Sequence, residues 1–390
     1  MVLQRKRIYM RHTDVVKLAS SPQRLKSLDV LRGFDMFFIM GGWQFVISAC
    51  VALGFGDSCF LATQMKHVDW NGFHFCDFIF PLFLFIAGVT FPYSFAKQIS
   101  SGLSLFRVRL RILRRALVLI LLGFGISGFF ASGGLHFGSI LFRIGVAWAF
   151  AALLYTFFLW RKRVLVSAQL LLIYSLLLMF VGAPDYPDAG VYSPLGNISG
   201  WVDRMVFPPF CFAQEGPYYN QGFLGTIIAA PVTAMLGIFA GEMLRAENVS
   251  PSCKARNLFL IGLSILSIGL LAAFCLGDYS IPINKKLWTS SYVLVSGGCS
   301  FLILSIFYYL IDVKYWWKHY LFFTVIGVNS ITIYVAQRFI DFRYTATFFS
   351  KGLVASVSES FGLVIADASY IAVCWIFLFL LYKMRVFIKV

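Results

Sequence analysis

The stretch FHFCDFIFPLFLFIAGVTFPYSFA, residues 73–96, runs for 24 residues with one acidic side chain and no Lys or Arg. About 20 predominantly apolar residues, rising about 1.5 Å each as a helix, cross the roughly 30 Å hydrocarbon core of a bilayer. Working outward from it, apolar runs of similar length begin near Leu28, Ile112, Gly138, Val164, Gly222, Leu258, Leu287, Leu321 and Leu363. Together they predict an all-α polytopic integral membrane protein of about ten transmembrane helices. The composition agrees: the chain is 59% hydrophobic and 13% charged, and 43 Phe against 17 acids are too many for one water-soluble core to hide.

The net charge of +16 would suit nucleic acid if it lay along one face. The basic residues cluster between the apolar runs instead, so they report topology and no nucleic-acid partner is expected. With the amino terminus inside, 25 of the 33 Lys and Arg fall in cytosolic segments, as the positive-inside rule requires. Both termini are then expected in the cytosol, with a basic arm over 1–27 followed by one transmembrane domain over 28–390. The start, MVLQRKRIYMRH, has nothing apolar to insert as a signal peptide. The outer connections are residues 55–71, 132–137, 183–221, 277–287 and 340–362. No repeated half suggests an inverted-repeat transporter. The eight cysteines show no C-x-x-C spacing and most read as apolar filler. Cys59 and Cys211 fall in outer loops, where an oxidising compartment would let them pair.

Ionisable groups inside spans are costly and mark candidate sites. Asp77 lies about two turns into the second span from outside and Arg143 at similar depth in the fourth, which suggests a pair. A purely structural ion pair reads equally well. Arg338 and Asp341 read as interfacial anchors. At the cytosolic mouth Asp29 and Arg32 stand three apart in LDVLRGF, on one helix face. Beside them RVRLRILRR supplies Arg107, Arg109, Arg111, Arg114 and Arg115. This run is either a topology signal contacting headgroups or an anion site for a phosphorylated cofactor.

Of the five histidines, His12 and His319 belong to inner loops, His136 to a Gly-rich turn, and His74 to the start of the second span. His67 stands in KHVDWNGFHFCDFIFP among Asp69, Trp70, Asn71 and Asp77, groups able to orient an imidazole and hold a polar substrate. Spacing alone reads it equally as a loop histidine or a base. No second ligand at metal-like spacing accompanies it, so no metal is expected. The outer segment SIPINKKLWTSS adds Asn284, Lys285, Lys286 and Trp288, and GVNSITIYV puts Asn329 and Ser330 inside the ninth span, where helix–helix hydrogen bonding is the plain alternative.

Taken in order, RLKSLDVLRGF (24–34), HVDWNGF with DFIFPLFLFIAG (67–88), ILFRIGVAW (140–148), FLGTI (223–227), PINKKLWTSSYVL (282–294) and GVNSITIYV (327–335) resemble the transmembrane heparan-alpha-glucosaminide N-acetyltransferases and their bacterial relatives. The resemblance implies transfer of acetyl from cytosolic acetyl-CoA to the amine of glucosamine, or of a terminal glucosamine of an oligosaccharide, on the outer side of the membrane. It makes His67 the catalytic base, with Asp77 orienting it or the acceptor. It assigns Asp29, Arg32, Arg111, Arg114, Arg115 and Arg143 to the cofactor. Asp69, Trp70, Asn71, Asn284, Lys285, Trp288 and Asn329 are assigned to the amino-sugar acceptor. It further implies a homodimer, and the lack of a luminal domain resembles a bacterial inner-membrane member. Direct transfer and an acetyl-imidazole intermediate both remain open.

The sequence departs from the family pattern in two places. No Asn occurs from Phe34 to Trp70, and the acidic Asp-Pro-Glu-Gly segment of relatives reads Tyr219-Asn220-Gln221-Gly222. Two other functions compete: a sugar permease, which the dense inner arginines argue against, and an O-acyltransferase of envelope polysaccharide, which differs only in acceptor chemistry.

Overall fold

The structure, a computed structural model, describes residues 25–126, 139–207, 222–317 and 320–387. Most of the basic arm, His12, His136, His319, Cys211 and the segment Tyr219–Gln221 lie outside those residues. Among the described residues eight helices are long and apolar enough to cross a membrane, and no β-strand forms. The chain is an all-α, multi-pass membrane protein.

The first span, Lys26–Ala52, combines α1 (Lys26–Phe37), a π-helical turn at Phe38–Gly42, and α2 (Trp43–Ala52). A short α3 (Phe60–Gln64) precedes the long α4 (Phe75–Ser100). Then come α5 (Leu105–Ile126), α6 (Ile140–Phe157), α7 (Trp160–Phe180) and the short α8 (Ile198–Val206). The sixth expected run is α9 (Phe223–Ile228) with α10 (Ala230–Arg245), followed by α11 (Pro251–Phe274) and α12 (Ser290–Tyr308). The ninth run breaks by 70° between α13 (Leu321–Val328) and α14 (Ser330–Phe339), and counts as one span only if the bent pair crosses together. After α15 (Phe342–Ala355), α16 (Glu359–Lys383) is the last span. The remaining expected run, α5, is helical for 22 residues, but arginines occupy its first half and keep it out of the apolar count.

Successive spans alternate in direction, so the bundle has two ends. One carries His67 and the start of α4; the other carries Lys26, the end of α4 and the start of α5. At about 1.5 Å per residue, α4 separates them by about 39 Å. The buried share of the α4 span is 72%, against 22% for α11 and α16, so α4 is central and the other two meet lipid. Without a hydrophobic force between helices in lipid, close packing needs small residues. A Cβ on Gly88 would strike the Ala234 carbonyl, and one on Gly237 or Gly241 the carbonyls of Phe85 or Val89, so α4 and α10 lie backbone to backbone. In the same way Gly33 of LDVLRGF faces the Phe323 carbonyl and Gly327 faces that of Asp29, locking α1 against α13.

Candidate functional site

Asp77 is the third residue of α4, shallower than the expected two turns, and its side chain organises the loop before the helix. Its Oδ2 accepts from the backbone N–H of His74 at 3.2 Å, capping the helix start, and from that of Val68 in the preceding loop at 3.3 Å. Its Oδ1 lies 2.8 Å from His67 Nδ1 and 3.2 Å from Lys285 Nζ. The sequence expectation paired Asp77 with Arg143; its charged partners are His67 and Lys285 instead. Matched depth fixes height along a bundle but not which face a side chain leaves from. Arg143 packs against Gly222, with its guanidinium carbon 5.8 Å from the centre of the Trp288 ring.

Two segments more than 200 positions apart build this corner together. The N–H of Gly72 donates to the Ile283 carbonyl at 2.8 Å, and Asn284 Nδ2 donates to Asn71 Oδ1 at 3.0 Å. Gly72 has φ +133°, which a side chain would resist, so the glycine of HVDWNGF is needed for the docking. Asn284 is fully buried, and its Oδ1 also accepts from the Leu287 N–H at 2.8 Å. The resulting turn carries Lys285 to Asp77 and His67, with Nζ 3.2 Å from each contacting atom. Trp288 takes the left-handed φ of +56°, an unusual strain for a bulky residue, and is 1% exposed under the turn with its indole N–H facing Thr233. Trp70 donates from its indole to the Tyr192 carbonyl at 2.6 Å, and Lys286 sits over its ring. Asp69 is exposed beside it.

The carboxylate contact and the Cys76 thiol raise the pKa of His67 to about 9, although neighbouring Lys285 opposes the shift. His67 therefore rests as an imidazolium near neutral pH, its Nδ1–H held by Asp77 and its Nε2 turned toward Cys76 Sγ at 3.7 Å. Because the folded value exceeds the unfolded 6.5, this pairing adds stability that is complete below about 6.5 and lost as pH rises through about 9. Burial holds Lys285 below the usual lysine range, with Asp77 opposing. On α8, Asp203 accepts from the N–H groups of Gly222 and Phe223 at the start of α9, and burial raises its pKa to about 6.

The opposite end holds the other expected site residues. Asp29 and Arg32 pair at 3.7 Å. Arg115 turns inward, its guanidinium 4.4 Å from the centre of the Trp148 ring and near enough to Arg32 to feel its charge. Arg111 and Arg114 stay exposed, Arg111 reaching Gln98. Asn329 sits at the break between α13 and α14 and donates to the Val386 carbonyl at 3.1 Å, far from His67. A cavity of about 730 Å³ opens here, lined by Lys26, Asp29, Tyr320, Thr324, Lys383 and Arg385 among others. Its three cations and its aromatic walls (Tyr320, Phe379, Tyr382) suit a phosphorylated, ring-bearing ligand. Among the described residues no group of three His, Cys, Asp or Glu is placed to hold a metal ion.

The structure therefore joins His67, Asp77 and Lys285, with Asn71 and Asn284 as their scaffold, and leaves Asp29, Arg32, Arg115 and Asn329 at the other end. Sequence reading missed Cys76, Lys26, Tyr320, Lys383 and Arg385, and also Asp35, fully buried within α1. Adjacency to Asp77 was the one signal for Cys76. In sequence the terminal basic residues mark topology alone.

Comparison with known proteins gives two relatives. The heparan-alpha-glucosaminide N-acetyltransferase of Homo sapiens is 26% identical over 96% of this chain, and that of Mus musculus 27% identical over 95%. The chain spans 61% of the length of each. No family model matches. Over nearly its whole length the chain is thus similar to the heparan-alpha-glucosaminide N-acetyltransferases.

Proposed function

We propose that this protein is a membrane-embedded acetyltransferase. It takes acetyl from acetyl-CoA bound at the arginine end and passes it to the amine of glucosamine, or of a terminal glucosamine, at the His67 end. The observation that carries the reading is the contact of His67, Asp77 and Lys285, assembled by the two motifs that also carry the family resemblance. The names of the two relatives support the reaction class, and the basic cavity at the far end supports a polyanionic donor. The nucleotide rests against Lys26, Lys383 and Arg385, with Arg32 and Arg115 at the same end of the bundle. The slim pantetheine arm carries the thioester into the bundle, since a polyanion does not cross lipid unaided.

His67 manages the proton. Asp77 fixes the Nδ1–H tautomer and leaves Nε2 to exchange a proton with the reacting groups, the division of labour seen wherever a carboxylate orients a catalytic imidazole. Lys285 pairs with Asp77 and moderates the basicity of His67. The cytosolic termini, the single domain over 28–390, the homodimer and a bacterial inner-membrane setting accompany this reading.

The test is to supply purified protein with radiolabelled acetyl-CoA and glucosamine, then repeat with His67→Ala. Labelled N-acetylglucosamine from the native chain, falling about 10²–10⁴-fold in the variant, is expected. Equal labelling by the variant would remove His67 from the chemistry. Transport of sugar into vesicles without acetylation would favour the permease instead.

A further inference from the structure

Cys76 is half-buried at the second position of α4, and its Sγ faces His67 Nε2 at 3.7 Å while His67 Nδ1 faces Asp77 at 2.8 Å. Thiol, imidazole and carboxylate thus stand in line, the order of groups that activates a sulfur nucleophile. Nothing in the acetyl-transfer reading above uses the sulfur. We propose that Cys76 takes the acetyl group from the donor thioester and then yields it to the acceptor amine, with His67 as its proton partner and Asp77 orienting the ring.

Three observations carry this. First, both ring nitrogens of His67 are engaged, Nδ1 by Asp77 and Nε2 by Cys76, so the group standing in front of the imidazole is the thiol. Second, Cys76 stands in the first turn of α4, where open N–H groups and the positive dipole end surround the sulfur. Third, His67 is a resting imidazolium, a poor acceptor for an amine proton but a fitting partner for a thiolate.

The steps balance. The Cys76 thiolate attacks the acetyl-CoA carbonyl, forming a new S–C bond; the bond to the CoA sulfur breaks, and the departing CoA thiolate takes the His67 proton. The unprotonated amine then attacks the Cys76 thioester, a C–N bond forms, and Nε2 accepts the amine proton. The Cys76 sulfur leaves, which restores the starting Cys76–His67 pair. Exchange between two thioesters is close to thermoneutral, and the amide formed in the second step draws the sequence forward.

The proposal rests on the acetyl-transfer reading, and the test separates the two. The full chain is mixed with radiolabelled acetyl-CoA and no acceptor, and its peptides are read by mass spectrometry. The expected result is acetyl on Cys76, removed by neutral hydroxylamine and chased into N-acetylglucosamine when glucosamine is added. Cys76→Ala and Cys76→Ser should both lose this label and lose turnover about a hundredfold or more. Native turnover in either variant, or label on His67, would overturn the proposal. If the native chain neither transfers acetyl nor takes label, the acetyl-transfer reading has failed and iodoacetamide decides the nucleophile. Alkylation of Cys76 at pH 7 that slows roughly tenfold or more in His67→Ala keeps the ion pair and its role with another acyl donor. Slow alkylation indifferent to His67 overturns it.

Discussion

The two ends of the bundle handle polar groups in opposite ways. At the His67 end the functional side chains are bonded to one another: Asp77 to His67 and Lys285, Asn71 to Asn284, Trp70 to a backbone carbonyl. At the arginine end the cations Lys26, Lys383 and Arg385 line an open cavity of about 730 Å³, and Arg111 and Arg114 face outward. A fixed network holds atoms at the separations that proton transfer demands, whereas a lined cavity only has to attract a ligand's charge. Under the proposed function the difference places chemistry at one end and docking at the other, and each end should respond to mutation in its own way.

The largest effect should come from Asp77. Asp77→Asn keeps the shape but removes the charge that holds His67 protonated, so acetyl transfer should fall about 10²–10⁴-fold. The His67 titration, followed by NMR, should move from about 9 down toward 6.5. An unmoved titration would mean that Asp77 is not what raises it. Lys285→Met should shift the same titration the other way, above about 9, because the lysine opposes the shift in the native chain.

Next in size are the scaffold contacts. Asn284→Ala strands the Asn71 side chain and the Leu287 N–H, and a buried unsatisfied group costs about 1–3 kcal/mol. Thermal unfolding in detergent should show the loss. The smallest effects are expected at the arginine end. Lys383→Gln should raise the KM for acetyl-CoA severalfold with kcat little changed, while Arg111→Ala and Arg114→Ala should leave both within about twofold, as exposed charges usually do. A kcat effect from Lys383→Gln equal to that of Asp77→Asn would erase the distinction between the ends.

Much of the fold was legible because a hydrocarbon solvent demands long apolar helices, and nearly every expected run became one. The break at Asn329 was not legible, since GVNSITIYV reads as a continuous span. For the site, sequence selected His67, Asp77 and Lys285, because polar groups beside a span stand out. It mispaired Asp77 with Arg143, as depth does not determine direction. Asn284 and Trp288, polar or amphipathic and beside a span, look open to an acceptor in sequence, yet both are buried within the turn that delivers Lys285. Cys76 passed as apolar filler, because only the fold of the loop brings His67 back over it. The inner arginines were read as one group, yet helical periodicity turns Arg115 toward Trp148 and leaves Arg111 and Arg114 outside.

The central claim is that one route joins the two ends, with the donor at one and the acceptor at the other. The direct measurement uses sealed proteoliposomes of known orientation, with acetyl-CoA on one side and glucosamine on the other. The account predicts labelled N-acetylglucosamine only when acetyl-CoA faces the arginine end and the amine faces the His67 end. Transfer that requires both substrates on the same side would contradict it.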